Sequence, residues 1–202
     1  MTALVLVRHG PTEWNTIGRV QGREDVPLSD AGRAEVRNWR LPTEFADYHW
    51  VTSPLVRAVE TARLLGAVDP PSDHRLAEMD WGAWGGMELH ALRAELGDLM
   101  KAWEARGLDF QAPGGESPRD VQARLLPWLA DIGLGYSTSL AITHKGVIRA
   151  VYALASGWDM AAKSPDRLWM DEIQLFDVAP GGQVRIARLN LSVAGPPTAD
   201  MP

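Results

Sequence analysis

The chain has 202 residues, 46% of them hydrophobic and 23% charged, with no cysteine and a formal net charge of −6. That size and balance fit one globular domain with a sizeable core. The missing cysteines exclude disulfides, thiolate nucleophiles, Cys-ligated zinc and iron–sulfur clusters, and the acidic balance argues against a nucleic-acid surface.

Leu4 to Val7 is wholly apolar, the pattern of a strand buried on both faces of a parallel sheet. Pro27 to Arg40 reads as a helix with Ser29 as N-cap, followed by a second strand at His49 to Thr52. Ser53-Pro54 then supplies an N-cap and an N1 proline for a helix carrying Leu55, Val59, Ala62 and Leu65 at helical spacing. From about Gly82 to Gly115, glycines bound a helix-bearing insertion in which Leu92, Leu96, Leu99 and Trp103 make one stripe over Ala91 to Trp103. That insertion either folds over the strand ends as a small helical cap or is an ordinary crossover.

Ser117-Pro118-Arg119-Asp120 opens another helix with a capping-box pattern, which Pro127 kinks or ends. Leu140 to Thr143 is a third strand, and Glu172 to Val178 and Val184 to Leu189 alternate as later ones. The alternation predicts an α/β fold: three layers, a mostly parallel sheet with helices on both faces, one domain over 1–194, and a flexible tail at 195–202. No apolar run nears the roughly 20 residues of a membrane span, and Met1-Thr2-Ala3 lacks the order of a signal peptide. The expectation is a cytoplasmic protein that engages neither membrane nor nucleic acid, with an exposed edge strand or apolar patch that could support a homodimer.

In such sheets ligands bind beyond the carboxyl ends of the strands. Arg8-His9-Gly10 follows the first strand, Ser53 and then Arg57 follow the second, and His144-Lys145-Gly146 follows the third. If the strands are parallel, these groups face one crevice. A cation such as Arg57 in a first helical turn works against the macrodipole by about 0.3–1 kcal/mol; either it holds an anion there, or it is a solvated arginine or one bridging to Glu60 at i+3. Guanidinium charge beside His9 and His144 would keep an imidazole neutral and nucleophilic and would stabilise a transferring phosphoryl group.

The blocks Arg8-His9-Gly10-Pro11-Thr12-Glu13-Trp14-Asn15, Ser53-Pro54-Leu55-Val56-Arg57-Ala58, Leu76-Ala77-Glu78-Met79-Asp80-Trp81-Gly82, Pro113-Gly114-Gly115-Glu116-Ser117 and Thr143-His144-Lys145-Gly146 stand in order over about residues 4–150. Together they resemble the histidine phosphatase superfamily, the phosphoglycerate mutase-like proteins, on its phosphatase branch. The resemblance implies a metal-independent phosphomonoesterase that needs no cofactor, acts on a small phosphorylated metabolite and passes through a phosphohistidine on His9. It assigns Arg8, Arg57 and His144 to the phosphoryl oxygens, Asn15 to a further phosphate contact, and Glu78 to the acid that protonates the leaving oxygen. It leaves Thr12, Gln21 and Gly22 as candidates to line the entrance.

Two residues depart from the family pattern. Lys145 stands where glycine is more usual, and either reaches into the pocket and favours a more anionic substrate or points to solvent. Gly85 replaces an acidic residue, with Glu88 as a candidate substitute. Trp14, Trp81, Trp84 and Trp103 form either an apolar substrate wall or ordinary core. Competing readings are a cofactor-dependent phosphoglycerate mutase, a non-catalytic phospho-ligand binder, and a hydrolytic metal site on His9, His144 and Glu78. The last lacks an H-E-x-x-H motif and would set a cation beside arginines.

Overall fold

The computed structural model describes residues 1–45, 47–135 and 138–193; the tail expected at 195–202 lies outside the described residues. The principal elements are β1 (Thr2–Arg8), α1 (Glu13–Thr16), α2 (Asp30–Asn38), β2 (His49–Thr52), α3 (Val56–Leu64), α4 (Leu89–Leu96), α5 (Asp98–Glu104), α6 (Pro118–Leu134), β3 (Ser139–Thr143), α7 (Lys145–Ser156), β4 (Ile173–Val178) and β5 (Val184–Leu191). The strands form one sheet in the order β2-β3-β1-β4-β5. β1 and β2 each pair parallel with β3, whereas β4 is antiparallel to β1 and β5 to β4. Four strands therefore run one way and β4 alone runs against them.

Successive residues of a strand face opposite sides, and β1 uses both. Leu4 and Leu6 pack with Leu125 and Leu129 of α6 and with Val147 and Val151 of α7. Val5 and Val7 pack on the other face with Ala58 and Ala62 of α3. Each fully buried aliphatic side chain of this size contributes roughly 1.5–3 kcal/mol, which is why the run contains no polar residue. The result is the three-layer α/β arrangement.

Parallel pairing brings the carboxyl ends of β1, β2 and β3 to one edge of the sheet. Arg8 lies opposite Thr143 and Thr52 opposite Ile142. The residues that follow continue the ladder: His9 N donates to Thr143 O at 2.9 Å and Ser53 N to Ile142 O at 2.9 Å.

Three helices differ in detail from expectation. α3 begins at Val56, with Leu55 at the N-cap and no side-chain cap; Ser53 Oγ accepts from Leu55 N, just ahead of the helix, at 3.3 Å. The stripe expected over residues 91–103 is two helices, α4 and α5, separated at Gly97, where φ is +51°. The break turns Leu99 outward, 55% exposed, and Met100 inward, 1% exposed. Pro127 does not end α6, which begins with the Ser117–Asp120 capping box and continues to Leu134. The N–H that Pro127 lacks would have donated to the carbonyl of Ala123, an exposed residue.

The insertion leaves and returns at one point. Gly82 has φ +46°, and a Cβ there would collide with the carbonyl oxygen of Pro113 and come within 2.5 Å of Gly115 N. Glycine is required by both conformation and space. Between these two positions Trp84, Leu92, Met100 and Ala112 form a small core of their own. No helix among the described residues is long and apolar enough to cross a membrane.

Candidate active site

A cleft of about 500 Å³ opens over the carboxyl edge of the sheet. Its floor carries Arg8, His9, Arg57 and Glu78, and the 82–115 segment contributes Leu89, Arg93 and Phe110 to its wall. His9 is 5% exposed and His144 fully buried, with ring centroids 5.1 Å apart.

The tautomer of His9 follows from its partner. Nδ1 lies 2.7 Å from Gly10 O, and a carbonyl only accepts, so Nδ1 carries the proton and Nε2 keeps its lone pair. Burial, then the charges of Arg8 and Arg57, hold the His9 pKa well below its ordinary 6.5. His144 is pushed the same way by burial, then by His9, Arg57 and Arg8. Its Nε2 is 2.7 Å from Ser53 Oγ. Ser53 Oγ also accepts from Leu55 N at 3.3 Å; in the tautomer in which its own proton goes to Nε2, the imidazole carries its proton at Nδ1.

Arg57 is fully buried in the first turn of α3. Its Nη1 donates to Glu24 O at 2.7 Å and its Nη2 to Gly22 O at 2.9 Å. The alternative bridge to Glu60 is not made: Glu60 instead accepts from Arg33 Nη2 at 3.1 Å and from Leu28 N at 3.0 Å. Burial lowers the pKa of both Arg8 and Arg57 from the ordinary guanidinium value. Arg8 Nε, Arg57 Nε and His144 Nδ1 are buried with no hydrogen-bond partner. Orphaned buried donors each cost about 1–3 kcal/mol, and a set of them around one imidazole is a ready cradle for an oxyanion.

Glu78 is fixed from two sides. Its Oε1 accepts from Met79 N at 2.9 Å and from Gly146 N, in the first turn of α7, at 3.0 Å. A Cβ at residue 146 would collide with Oε1, so the glycine after Lys145 is what lets the carboxyl group approach the helix. Glu78 thus reaches the cleft beside His9 from the loop after Leu76.

Of the other expected residues, Asn15, Gln21 and Gly22 line the cleft and Thr12 does not. The Thr12 hydroxyl caps α1, accepting from Asn15 N at 3.3 Å, while Thr12 N and its hydroxyl both donate to Asn15 Oδ1 at 3.0 Å. Trp14 and Trp81 line the cleft, whereas Trp84 stacks edge-on against Trp103 at 5.1 Å in the insertion's own cluster. The Glu88 carboxylate lies 3.4 Å from His90 Nε2, away from the cleft lining.

Sequence reasoning did not single out Ser53 as the partner of His144, nor Arg124 at all. Arg124, on α6, donates to the carbonyls of Arg75, Ala77 and Glu78 and to the Glu116 carboxylate, while Asp80 N donates to Glu116 at 3.0 Å. This clamp sets the backbone on which Glu78 sits. A cation in mid-helix carries no local signal of so distant a role. Among the described residues no group of three or more His, Asp or Glu side chains is placed to hold a metal ion.

The model of the histidine phosphatase superfamily (branch 1) matches residues 4–190. Phosphoserine phosphatase 1 of Hydrogenobacter thermophilus is 31% identical over 170 residues, covering 80% of this chain and 79% of that one. A 2,3-bisphosphoglycerate-dependent phosphoglycerate mutase of Methylobacterium radiotolerans is 38% identical over 168 residues, covering 76% and 79%. A mycobacterial glucosyl-3-phosphoglycerate phosphatase in complex with inorganic phosphate superimposes with a TM-score of 0.80 at 25% identity, covering 97% of this chain and all of its own.

Proposed function

Since the chain belongs to the histidine phosphatase superfamily, branch 1, we propose that it is a metal-independent phosphomonoesterase that hydrolyses a small phosphorylated metabolite through a phosphohistidine on His9. One observation carries the reading: a neutral imidazole, its Nδ1 proton fixed on Gly10 O, sits among buried donors that have no partner. Such a group is a nucleophile at its unprotonated nitrogen, and the donors are positioned for the charge that develops on transferring phosphoryl oxygens.

In the first step His9 Nε2 attacks phosphorus in line, the ester P–O bond breaks, and Glu78 gives its proton to the leaving oxygen. In the second, water attacks the phosphoryl group, Glu78 takes a proton from it, and the P–N bond breaks to return neutral His9 and inorganic phosphate. Arg8, Arg57 and His144 Nδ1 hold the phosphoryl oxygens throughout. Asn15 adds a phosphate contact, and Gln21 and Gly22 shape the entrance. Thr12 serves the site by holding Asn15 in place. The 82–115 segment acts as a cap that walls the cleft through Leu89, Arg93 and Phe110 and so orients the substrate over His9. The same reading puts the enzyme in the cytoplasm, which the absence of cysteine fits.

The test is hydrolysis of p-nitrophenyl phosphate by the purified protein in excess chelator, with acid and alkaline quenches. Turnover through a base-stable, acid-labile phosphoprotein is expected; turnover that stops on chelation, or no phosphoprotein, would overturn the reading. Within it, Glu78→Gln is expected to slow formation of the phosphoprotein from an alkyl phosphate, followed in a single turnover, by about 10²- to 10⁴-fold. It should slow formation from p-nitrophenyl phosphate far less, because that leaving group departs without a proton. Equal losses on both esters would remove Glu78 from the acid role.

A second reading, a phosphoglycerate mutase, is favoured by the relatives of that name. It shares the first step and returns the phosphoryl group to a hydroxyl of a second substrate. Isomerisation of 3-phosphoglycerate primed with 2,3-bisphosphoglycerate, faster than release of phosphate, would select it.

A further inference from the structure

We propose that Lys145 and Arg149 form a second anion site beside the phosphoryl cradle, which receives a carboxylate or a second phosphate borne by the alcohol portion of the substrate. The proposal deepens the phosphomonoesterase reading and rests on it for the word substrate; the site itself stands on geometry. Lys145 and Arg149 are four residues apart on α7 and so project from one face of the helix. Both line the cleft above His9, and both also line an adjoining chamber of about 720 Å³. The two spaces thus meet at these side chains.

Neither cation is ion-paired among the described residues, and Glu78, whose charge acts on Lys145, is held on the backbone N–H groups of Met79 and Gly146. Elsewhere in the cleft Arg93 is paired with Glu104 at 2.7 Å, and the guanidinium of Arg19 lies 5.9 Å over Trp14. Lys145 and Arg149 have no ion-pair partner among the described residues, and Arg149 rests 4.8 Å over the ring of Trp158. In the adjoining chamber Lys163 and Arg167 add further positive charge, and the Oγ of Ser164 is buried without a partner. Asp166, the carboxylate of that lining, is engaged by the Tyr152 hydroxyl at 2.7 Å.

Lys145 is open to solvent from the cleft yet crowded by protein. Burial first, then the charges of Arg149 and Arg8, lowers its pKa from the ordinary 10.5. Two like charges held close by one helix face repel each other, and an anionic group between them converts that repulsion into attraction.

The test is calorimetric binding, which needs no turnover. The probes are benzylphosphonate, 4-carboxybenzylphosphonate and p-xylylene bisphosphonate, titrated into the wild-type protein, Lys145→Gln and Lys145→Gly. The wild type is expected to bind at least one of the two probes with an anionic tail about 10-fold or more tighter than benzylphosphonate, the scale of one charge-assisted contact. The carboxylate and bisphosphonate arms tell which second group the site takes. Both variants are expected to reduce the ratio to within about 3-fold. A ratio near one in the wild type, a ratio that survives both substitutions, or no binding of any probe would overturn the proposal. Failure of the phosphatase reading would appear separately, as absent phosphoprotein with the binding ratio intact.

Discussion

His9→Ala is expected to lower hydrolysis of p-nitrophenyl phosphate by about 10⁴-fold or more and to abolish the acid-labile phosphoprotein, because among the described residues His9 is the imidazole that lines the cleft. The nearest other imidazole, His144, has its Nε2 engaged by Ser53, and its ring is fully buried. The cradle itself should survive: Arg8, Arg57 and His144 remain, so inorganic phosphate is still expected to raise the melting temperature of the variant, by linkage equivalent to about 2.7 kcal/mol at 100 times its Kd. Loss of turnover with retained phosphate stabilisation separates nucleophile from binding site. Retention of more than about 1% of wild-type turnover would remove His9 from the nucleophile role.

Acid should destabilise the fold steeply once the pH drops below about 6.5. The folded-state pKa values of His9 and His144 both lie well below 6.5, chiefly through burial and then through neighbouring positive charge. The sign follows from proton counting. Above 6.5 neither state binds these protons and the histidines add no pH dependence. Below it the unfolded chain takes up as many as two protons that the folded chain refuses, so unfolding becomes easier, by up to about 2.7 kcal/mol per pH unit. The stability present above 6.5 is lost progressively until the pH reaches the depressed folded values. Carboxylates with lowered pKa, such as Asp73 and Glu116, act in a more acid window. Denaturant melts between pH 7 and 5 check this, and His9→Ala should shed about 1.4 kcal/mol per pH unit of the slope. A flat profile across that range would mean that the imidazoles protonate in place. The same depression keeps His9 unprotonated in mild acid, where a solvent-exposed histidine would have lost its lone pair.

The parts of this molecule that could be read in advance are those whose physics is local. The runs at Leu4 and Leu140 announce strands because a strand covered on both faces tolerates few polar residues, the edge strand at Val51 is marked by its β-branched and aromatic residues, and the parallel register then gathers Arg8, His9, Arg57 and His144 without further information. Ser117-Pro118-Arg119-Asp120 is legible for the same reason, a capping box being a contract among neighbours in sequence. What escaped was decided at a distance. Ser53 has the credentials of an N-cap, but the helix starts only at Val56, and the hydroxyl also meets a histidine 91 residues away. Leu99 fits the apolar stripe until Gly97 takes a left-handed conformation and exchanges its place with Met100. Lys145 could be flagged as unusual, but its direction depended on where Arg149 and the adjoining chamber lie.

The backbone contact between Gly82 and Gly115 bears on how such a molecule can change. An insertion whose entry and exit touch is a loop tied off at its base, and this one meets the body again at Gly18 and Val20 and at Asp159. The 32 residues between the two glycines enclose a nucleus of their own built on Trp84, Leu92, Met100 and Ala112. Selection can therefore redraw the mouth of the cleft between those anchor points while the imidazoles and guanidinium groups beneath stay where the sheet puts them.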